Sequence, residues 1–452
     1  MFATLKNASH SAGKAGLALM IAAGLALTAG CGGGGSGVNP GPTPTPGTAG
    51  ASNTQVRIGD APADSVIAFE VSLTSLSLTP SGGGAAVNIA VPANNRIELT
   101  HDSGKFEPLT LGNLPQGTFN SATLTLANSE LTFLTGTGTA VHINGPASAQ
   151  VTVPLSPTVT VGSSPIVLAI DVNIANSVTV NGTTITGINF GPTSFTITAK
   201  APGAQANQQD DDGEIEDVQG LVTAVNGTSF TMNVGQTGSS LTFDTDSTTQ
   251  FKDGITSVAS ALNQVVTAEG FTRSDGSLFA KEVEGLESQN GSEMEGIITQ
   301  ISGSTLTVLA QDGIGSGMDN SKVGNSFTVS IAGLNASKFR VNLGNGFGGA
   351  NLPNATFPFD ATTIHQGQHI EVDSDAPVPP SNGSISVDKI KLQQQGISGT
   401  VQNLSGATFD LALAADSALT VISGQSIVHI TKVSATDSRV TVANGGNVRV
   451  RG

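Results

Sequence analysis

The stretch GLVTAVNGTSFTMNV at residues 220–234 decides the fold. Apolar and polar side chains alternate on either side of Asn226-Gly227. That is the period of a strand, whose successive side chains point to opposite faces. The unit is expected to be strand, two-residue turn, strand, with the glycine at the second turn position, where a type I′ turn needs φ > 0. The same pattern returns as GIITQISGSTLTVLA at 296–310 and GTVQNLSGATFDLAL at 399–413. Gly227, Gly303 and Gly406 stand at one place in it, and Phe230, Leu306 and Phe409 at another.

Each copy continues alike. A third strand is expected at Leu241–Phe243, Phe327–Ile331 and Leu419–Ile422, and a fourth at Val265–Gly270, Ile370–Asp373 and Val448–Gly452. A fifth follows a glycine turn in Asp275–Val283 and Asn382–Ile390. Five strands make a small OB-like β-barrel. The expected repeats are 218–288, 294–393 with insertions near 310–326 and 340–365, and 396–452, which stops before its last strand. Open edges pair with other strands, so the third repeat is expected to take a strand from elsewhere in the chain or from a partner. These segments resemble domain of unknown function 5666, a short bacterial β-domain often found in tandem. The resemblance is strongest over 218–288.

Upstream, residues 55–200 also alternate, as in Leu124-Thr-Leu126, Val151-Thr-Val153 and Phe195-Thr-Ile197. A slip at Thr74-Ser75 predicts a bulge, and Asn181-Gly182 between SVTV and TTIT predicts a hairpin. With no helix expected, the segment reads as one antiparallel β-sandwich. The class is therefore all-β: a sandwich followed by two or three small barrels. The motifs Arg57-Ile-Gly-Asp-Ala-Pro62, Leu114-Pro-Gln-Gly-Thr-Phe119 and Leu168-Ala-Ile-Asp171 resemble domain of unknown function 4382. That resemblance implies an exported β-rich domain, often on lipoproteins, with no established activity.

Ahead of the sandwich lies an address. Lys6 and Lys14 precede an uncharged apolar run from Ala15 to Gly30. The run is short for a membrane span and suits a secretory signal. It ends in Leu27-Thr-Ala-Gly-Cys31, which resembles a bacterial lipobox, and Cys31 is the one cysteine of the chain. Residues 1–30 are thus expected to be a lipoprotein signal peptide and Cys31 the lipidated mature N-terminus. Gly32 after the cysteine resembles the outer-membrane sorting pattern. Several acyl chains give stable anchoring where one does not. Residues 31–54, rich in Gly, Pro and Thr, read as a tether. Losing Lys6 and Lys14 takes the net charge from −16 to −18, which repels anionic lipid surfaces.

Composition and motifs set the chemistry. A single cysteine excludes an intrachain disulfide and a Cys-based zinc site. A net charge of −16 argues against nucleic acid. Absence of Trp and Tyr disfavours aromatic sugar platforms. There is no G-x-S-x-G, H-E-x-x-H or Walker motif. Gly344–Gly349 fits G-x-G-x-x-G but lies in a loop insertion of a β repeat, with no helix to serve. His365 and His369 are four apart, a helical metal spacing in a strand-and-loop context, and read as a turn. The i, i+2 pairs Asp244/Asp246 and Glu282/Glu284 are expected to face water, because Val283 takes the opposite face. An acidic linker at 201–217 holds Asp210, Asp211, Asp212, Glu214 and Glu216, weak cation candidates whose spacing misses the EF-hand. No cofactor and no catalytic residue is expected. The function expected is a membrane-anchored, extracytoplasmic, non-catalytic lipoprotein for surface scaffolding, adhesion or envelope interaction. The alternatives are a polysaccharide- or peptide-binding module and, behind it, a hydrolase.

Overall fold

The computed structural model describes residues 4–6, 51–61, 64–100, 106–182, 184–202, 214–235, 237–286, 288, 290–341, 359–393, 395–432 and 441–451. Among them strands dominate, with a few 3-10 turns and one α-helix, so the all-β class holds. Alternation drives this directly. Along Ser148–Val161, Val151, Val153, Leu155, Val159 and Val161 are buried, and Thr152, Pro154 and Thr160 face solvent.

Residues 51–200 build two main sheets and a two-stranded one on a single core. One sheet runs Phe195–Lys200, Ile166–Asn173, Ala51–Ala61, Phe106–Pro115. The other rests on the long pair Val66–Pro80 and Gly117–Leu134. Phe69, Leu73, Leu124, Leu168 and Ile170 fill the space between them. The bulge falls between Leu73 and Ser75, and Val178–Asn181 pairs with Thr184–Ile188 as the hairpin signal requires. One pairing departs from the antiparallel expectation: Ala51–Ala61 runs parallel to Ile166–Asn173.

Three smaller units follow. In the first, Glu214–Asn226 lies between Ser229–Val234 and Val265–Thr272, with Ser240–Asp244 and Leu278–Gly285 outside them. Leu278–Gly285 also pairs in parallel with Ser240–Asp244 at Phe243↔Leu278, so the strand path turns back on itself. Gln250–Lys252 adds to its other half in parallel. The acidic linker ends sooner than expected, since Glu214 and Glu216 sit in a strand whose Ile215 and Val218 are core residues. Burial of those two apolar side chains draws the flanking acids into the sheet.

The second unit has the same order of pairings. Ser292–Ser302 lies between Thr305–Gly315 and His369–Ser374, and Ser326–Ser330 and Lys389–Leu392 lie beyond. Ser384–Ser386 and Phe339–Val341 supply the two parallel contacts. In the third unit Gly396–Ser405 lies between Thr408–Ala412 and Asn447–Arg451. The outer side of Asn447–Arg451 pairs with Thr4–Lys6.

Two expectations fail here for local reasons. Leu419–Ile422 is not a strand but part of the helix Ala418–Ser423, and the third strand is Ile427–Thr431. Ser417 caps that helix by accepting from Thr420 N, and Gly424 closes it at φ +72°. Val421 and Ile422 then pack against a cluster of Ile67, Leu134, Leu309 and Ala418. The hairpin glycines stand at the first, not the second, turn position. Asn226 pairs with Ser229 across Gly227-Thr228, with Gly227 at φ +57° and Thr228 outside the positive region. This is the type II′ pattern, which suits the strand twist as well as type I′ does. Gly303 and Gly406 do the same. The opening glycine of each motif has another cause. A Cβ on Gly220, Gly296 or Gly399 would run into the carbonyl of Asn233, Leu309 or Ala412 across the ladder.

Buried polar contacts tie the units. Gln311 Nε2 donates to Ile67 O at 2.6 Å. Asp64 accepts from Ser398 N through Oδ2 at 2.9 Å and from Ala418 N through its carbonyl at 2.6 Å. Thr272 Oγ1 bonds Gln55 Oε1 at 2.5 Å.

Candidate functional site

The second unit presents a charged face to the first. Three stretches, Glu293-Met-Glu295, Glu371-Val-Asp373 and Lys389-Ile-Lys391, lie side by side in the sheet. The register places Glu295, Glu371 and Lys391 in one row and Glu293, Asp373 and Lys389 in the next. Alternation sends Met294, Val372 and Ile390 to the apolar core. The six charged side chains take the other face, and the first unit covers it. Asp253 reaches Lys389, Nζ to Oδ2, at 2.9 Å, and Glu284 reaches Lys391, Nζ to Oε1, at 2.6 Å. Within the second unit Lys389 lies 2.9 Å from Asp373 Oδ2 and Lys391 2.6 Å from Glu371 Oε1. These last two are ion pairs without hydrogen-bond alignment, since neither oxygen has a hydrogen-bond partner. Gln393 Nε2 donates to Glu371 Oε2 at 2.5 Å, and His369 Nε2 lies 3.5 Å from Glu295 Oε2.

Six carboxyl groups thus meet two ammonium groups in a buried seam. Like charges directly opposed across a ladder repel, and desolvation magnifies this. The titration follows. Burial pushes Glu293 and Glu371 well above the usual carboxylate range, and neighbouring acids add to it. Burial likewise raises Glu284, which shares a proton with Asp253. Burial opposes the charged form of Asp253, but that shared proton and Lys389 outweigh it and hold Asp253 low. Burial also opposes the ammonium of Lys391, yet Glu371, Glu293, Asp373 and Glu284 outweigh it and push its pKa up. The seam can therefore hold protons or cations. The cavity beside Asp373, lined by Leu286, Ser292 and Asp388, is about 10 Å³.

A second charged row crosses the sandwich. Glu98, Glu70 and Glu130 face each other on three adjacent strands. Arg96 answers two of them, with Nη2 2.7 Å from Glu70 Oε2 and 3.0 Å from Glu130 Oε2. Glu98 Oε1 instead accepts from Phe69 N and Thr100 Oγ1, each at 2.7 Å. Glu70 is raised to about 8, chiefly by burial, with Arg96 lowering it and Glu98 and Glu130 adding to the rise.

The residues singled out from sequence lie elsewhere. Cys31, Asp210, Asp211, Asp212 and the Gly344–Gly349 loop fall outside the described residues. Glu214 and Glu216 fall in the strand Glu214–Asn226. His365 lies in a turn and His369 begins a strand. Asp244 and Asp246 are partly exposed. Glu282 and Glu284 do not face open water: Lys252 pairs with Glu282, and Lys391 of the next unit covers Glu284. Val283 is buried on the opposite face as expected, but a neighbouring unit occupies the side that alternation leaves free. The E-x-E, E-x-D and K-x-K spacings were the readable signal for the seam, and sequence reading passed over them.

Among known families, the one described as Domain of unknown function (DUF5666) matches residues 219–284, the first small unit. No curated protein matches the chain.

Proposed function

We propose that this protein is a non-catalytic scaffold of the bacterial cell envelope, held to the outer membrane by lipid on Cys31. The single observation behind the non-catalytic reading is the seam. Its acids and lysines, the densest set of ionisable groups described, are buried against a cavity of about 10 Å³ and spent on joining two units. Acid–base catalysis needs a group within hydrogen-bond reach of a substrate, and these groups are engaged with one another across the two units. The sandwich is read as a domain of unknown function 4382, and the second and third small units as further copies of the matched domain. Their shared order of pairings and their equivalent glycines support that reading. The outer edge of Asn447–Arg451 pairs with Thr4–Lys6, so loss of a leader ending at Gly30 would leave it for a partner strand. Metabolic labelling with palmitate, compared with Cys31→Ser, tests the anchor. Label on the native chain and none on the variant is the expected result; an unlabelled native chain ends the proposal.

A second reading has one observation in its favour. A cleft of about 380 Å³ lies between the sandwich and the third unit, lined by Phe133, Leu134, Val141, Ile185, Val421 and Asp416. Its mostly apolar lining fits apolar side chains of a bound peptide better than the hydroxyls of a sugar. Peptide-array binding lost on Val421→Asp would favour it over a purely structural role.

A further inference from the structure

The seam between the first two small units brings together more carboxyl groups than its two lysines can pair. Glu293, Glu295 and Glu371 turn carboxylate oxygens toward a common point, all within 4.8 Å of one another. Oxygens around a calcium-class ion stand at about 2.4 Å, so ligands of one ion lie no more than about 4.8 Å apart. All three residues are buried. Proximity of acids alone does not make a site, but two further observations point inward. Asp373 is 6% exposed and stands opposite Glu293 on the same face. Lys389 meets its Oδ2, and its buried Oδ1 has no hydrogen-bond partner. Glu293 is 7% exposed, and its carboxylate makes no hydrogen bond or ion pair among the described residues. A buried carboxylate left without a donor is costly and is rare in folded proteins.

We infer that Glu293, Glu295 and Glu371 form a divalent-cation site of the calcium class, with Asp373 beside them as a further buried acid on the same face. The donors are oxygens, which selects hard ions over zinc or copper. Glu371 already meets Lys391 through Oε1 and Gln393 through Oε2, and each carboxylate oxygen keeps a second lone pair for the ion. Lys391 repels the ion, so it acts as an internal competitor. The site joins the units more firmly when filled, because the array that holds the ion also carries the lysines that grip Asp253 and Glu284. None of this depends on the lipid anchor.

The test is calorimetric titration of the metal-stripped full chain with calcium, manganese and magnesium chlorides, with thermal unfolding followed in parallel. One saturable site for calcium or manganese, and a higher unfolding temperature in its presence, are expected. Glu293→Gln should weaken the affinity at least tenfold, and Asp373→Asn is the second variant should the first not fold. Lys391→Met should bind the ion more tightly and show the larger thermal shift. The triple change Asp210→Asn, Asp211→Asn and Asp212→Asn should leave the titration unchanged. The inference is overturned if no ion binds, or if binding follows the 210–212 acids and ignores Glu293 and Asp373.

Discussion

Replacing Glu70 by Gln should stabilise the sandwich at alkaline pH and leave it nearly unchanged in acid. Glu70 sits between Glu98 and Glu130 in one row of the sheet, and its side chain is 4% exposed. One arginine is shared between it and Glu130. Its carboxyl moves from an ordinary 4.5 to about 8 on folding, so the folded chain holds a proton that the unfolded chain releases. A raised acid contributes stability that is fully present below 4.5 and lost as pH climbs through about 8. At about 1.36 kcal/mol per tenfold change, the ceiling on that loss is about 5 kcal/mol. Glutamine copies the protonated form in shape and cannot ionise. The advantage of Glu70→Gln over the native chain should therefore grow from about zero near pH 5 to several kcal/mol near pH 8 or above. Urea unfolding of both proteins across that range, followed by far-ultraviolet circular dichroism, supplies the difference. Glu284, Glu293 and Glu371, whose pKa values are also raised, are common to both proteins and cancel. A difference that stays constant with pH, or that favours glutamate as pH rises, refutes the reasoning.

Other outcomes follow from packing and backbone geometry. Phe409→Ala empties the centre of the third unit's small core and should cost about 3–5 kcal/mol, read as early melting of that unit. Gly296→Ala pushes a Cβ into the Leu309 carbonyl and should cost at least about 1–3 kcal/mol, whereas Gly112→Ala, with open space around it, should cost well under that. Ser417→Ala removes the cap of the one α-helix described and should cost about 1 kcal/mol, with Ser417→Asp recovering part of it. Lys389→Met leaves Asp253 and Asp373 without their shared ammonium and should loosen the seam, seen as faster amide exchange in Gln250–Lys252.

The alternating stretches were legible because one face of each is buried and the other wet. Val151 to Val161 shows this along a single strand, and the bulge at Thr74-Ser75 was visible as a slip in that rhythm. The turn glycines were visible too, but their position in the turn was not, because positive φ at one residue satisfies two turn types. Leu419–Ile422 misled for a related reason. Its alternation spans a single helical turn, and only Ser417 before it and Gly424 after it reveal the helix. The seam was hidden more deeply. Glu282 and Glu284 alternate with Val283 as surface residues do, and nothing in their own stretch announces that Lys391, more than a hundred positions later, covers one of them.

The main chain at Ser398 bonds a carboxylate formed 334 positions earlier in the chain, and Ala418 closes on the same aspartate. Asp64 therefore waits for Ser398 and Ala418 to be made and to fold back onto it. Contacts of such span form late and slowly, after the intervening segments have found their places. Until then the Asp64 carboxylate and carbonyl lack these two donors.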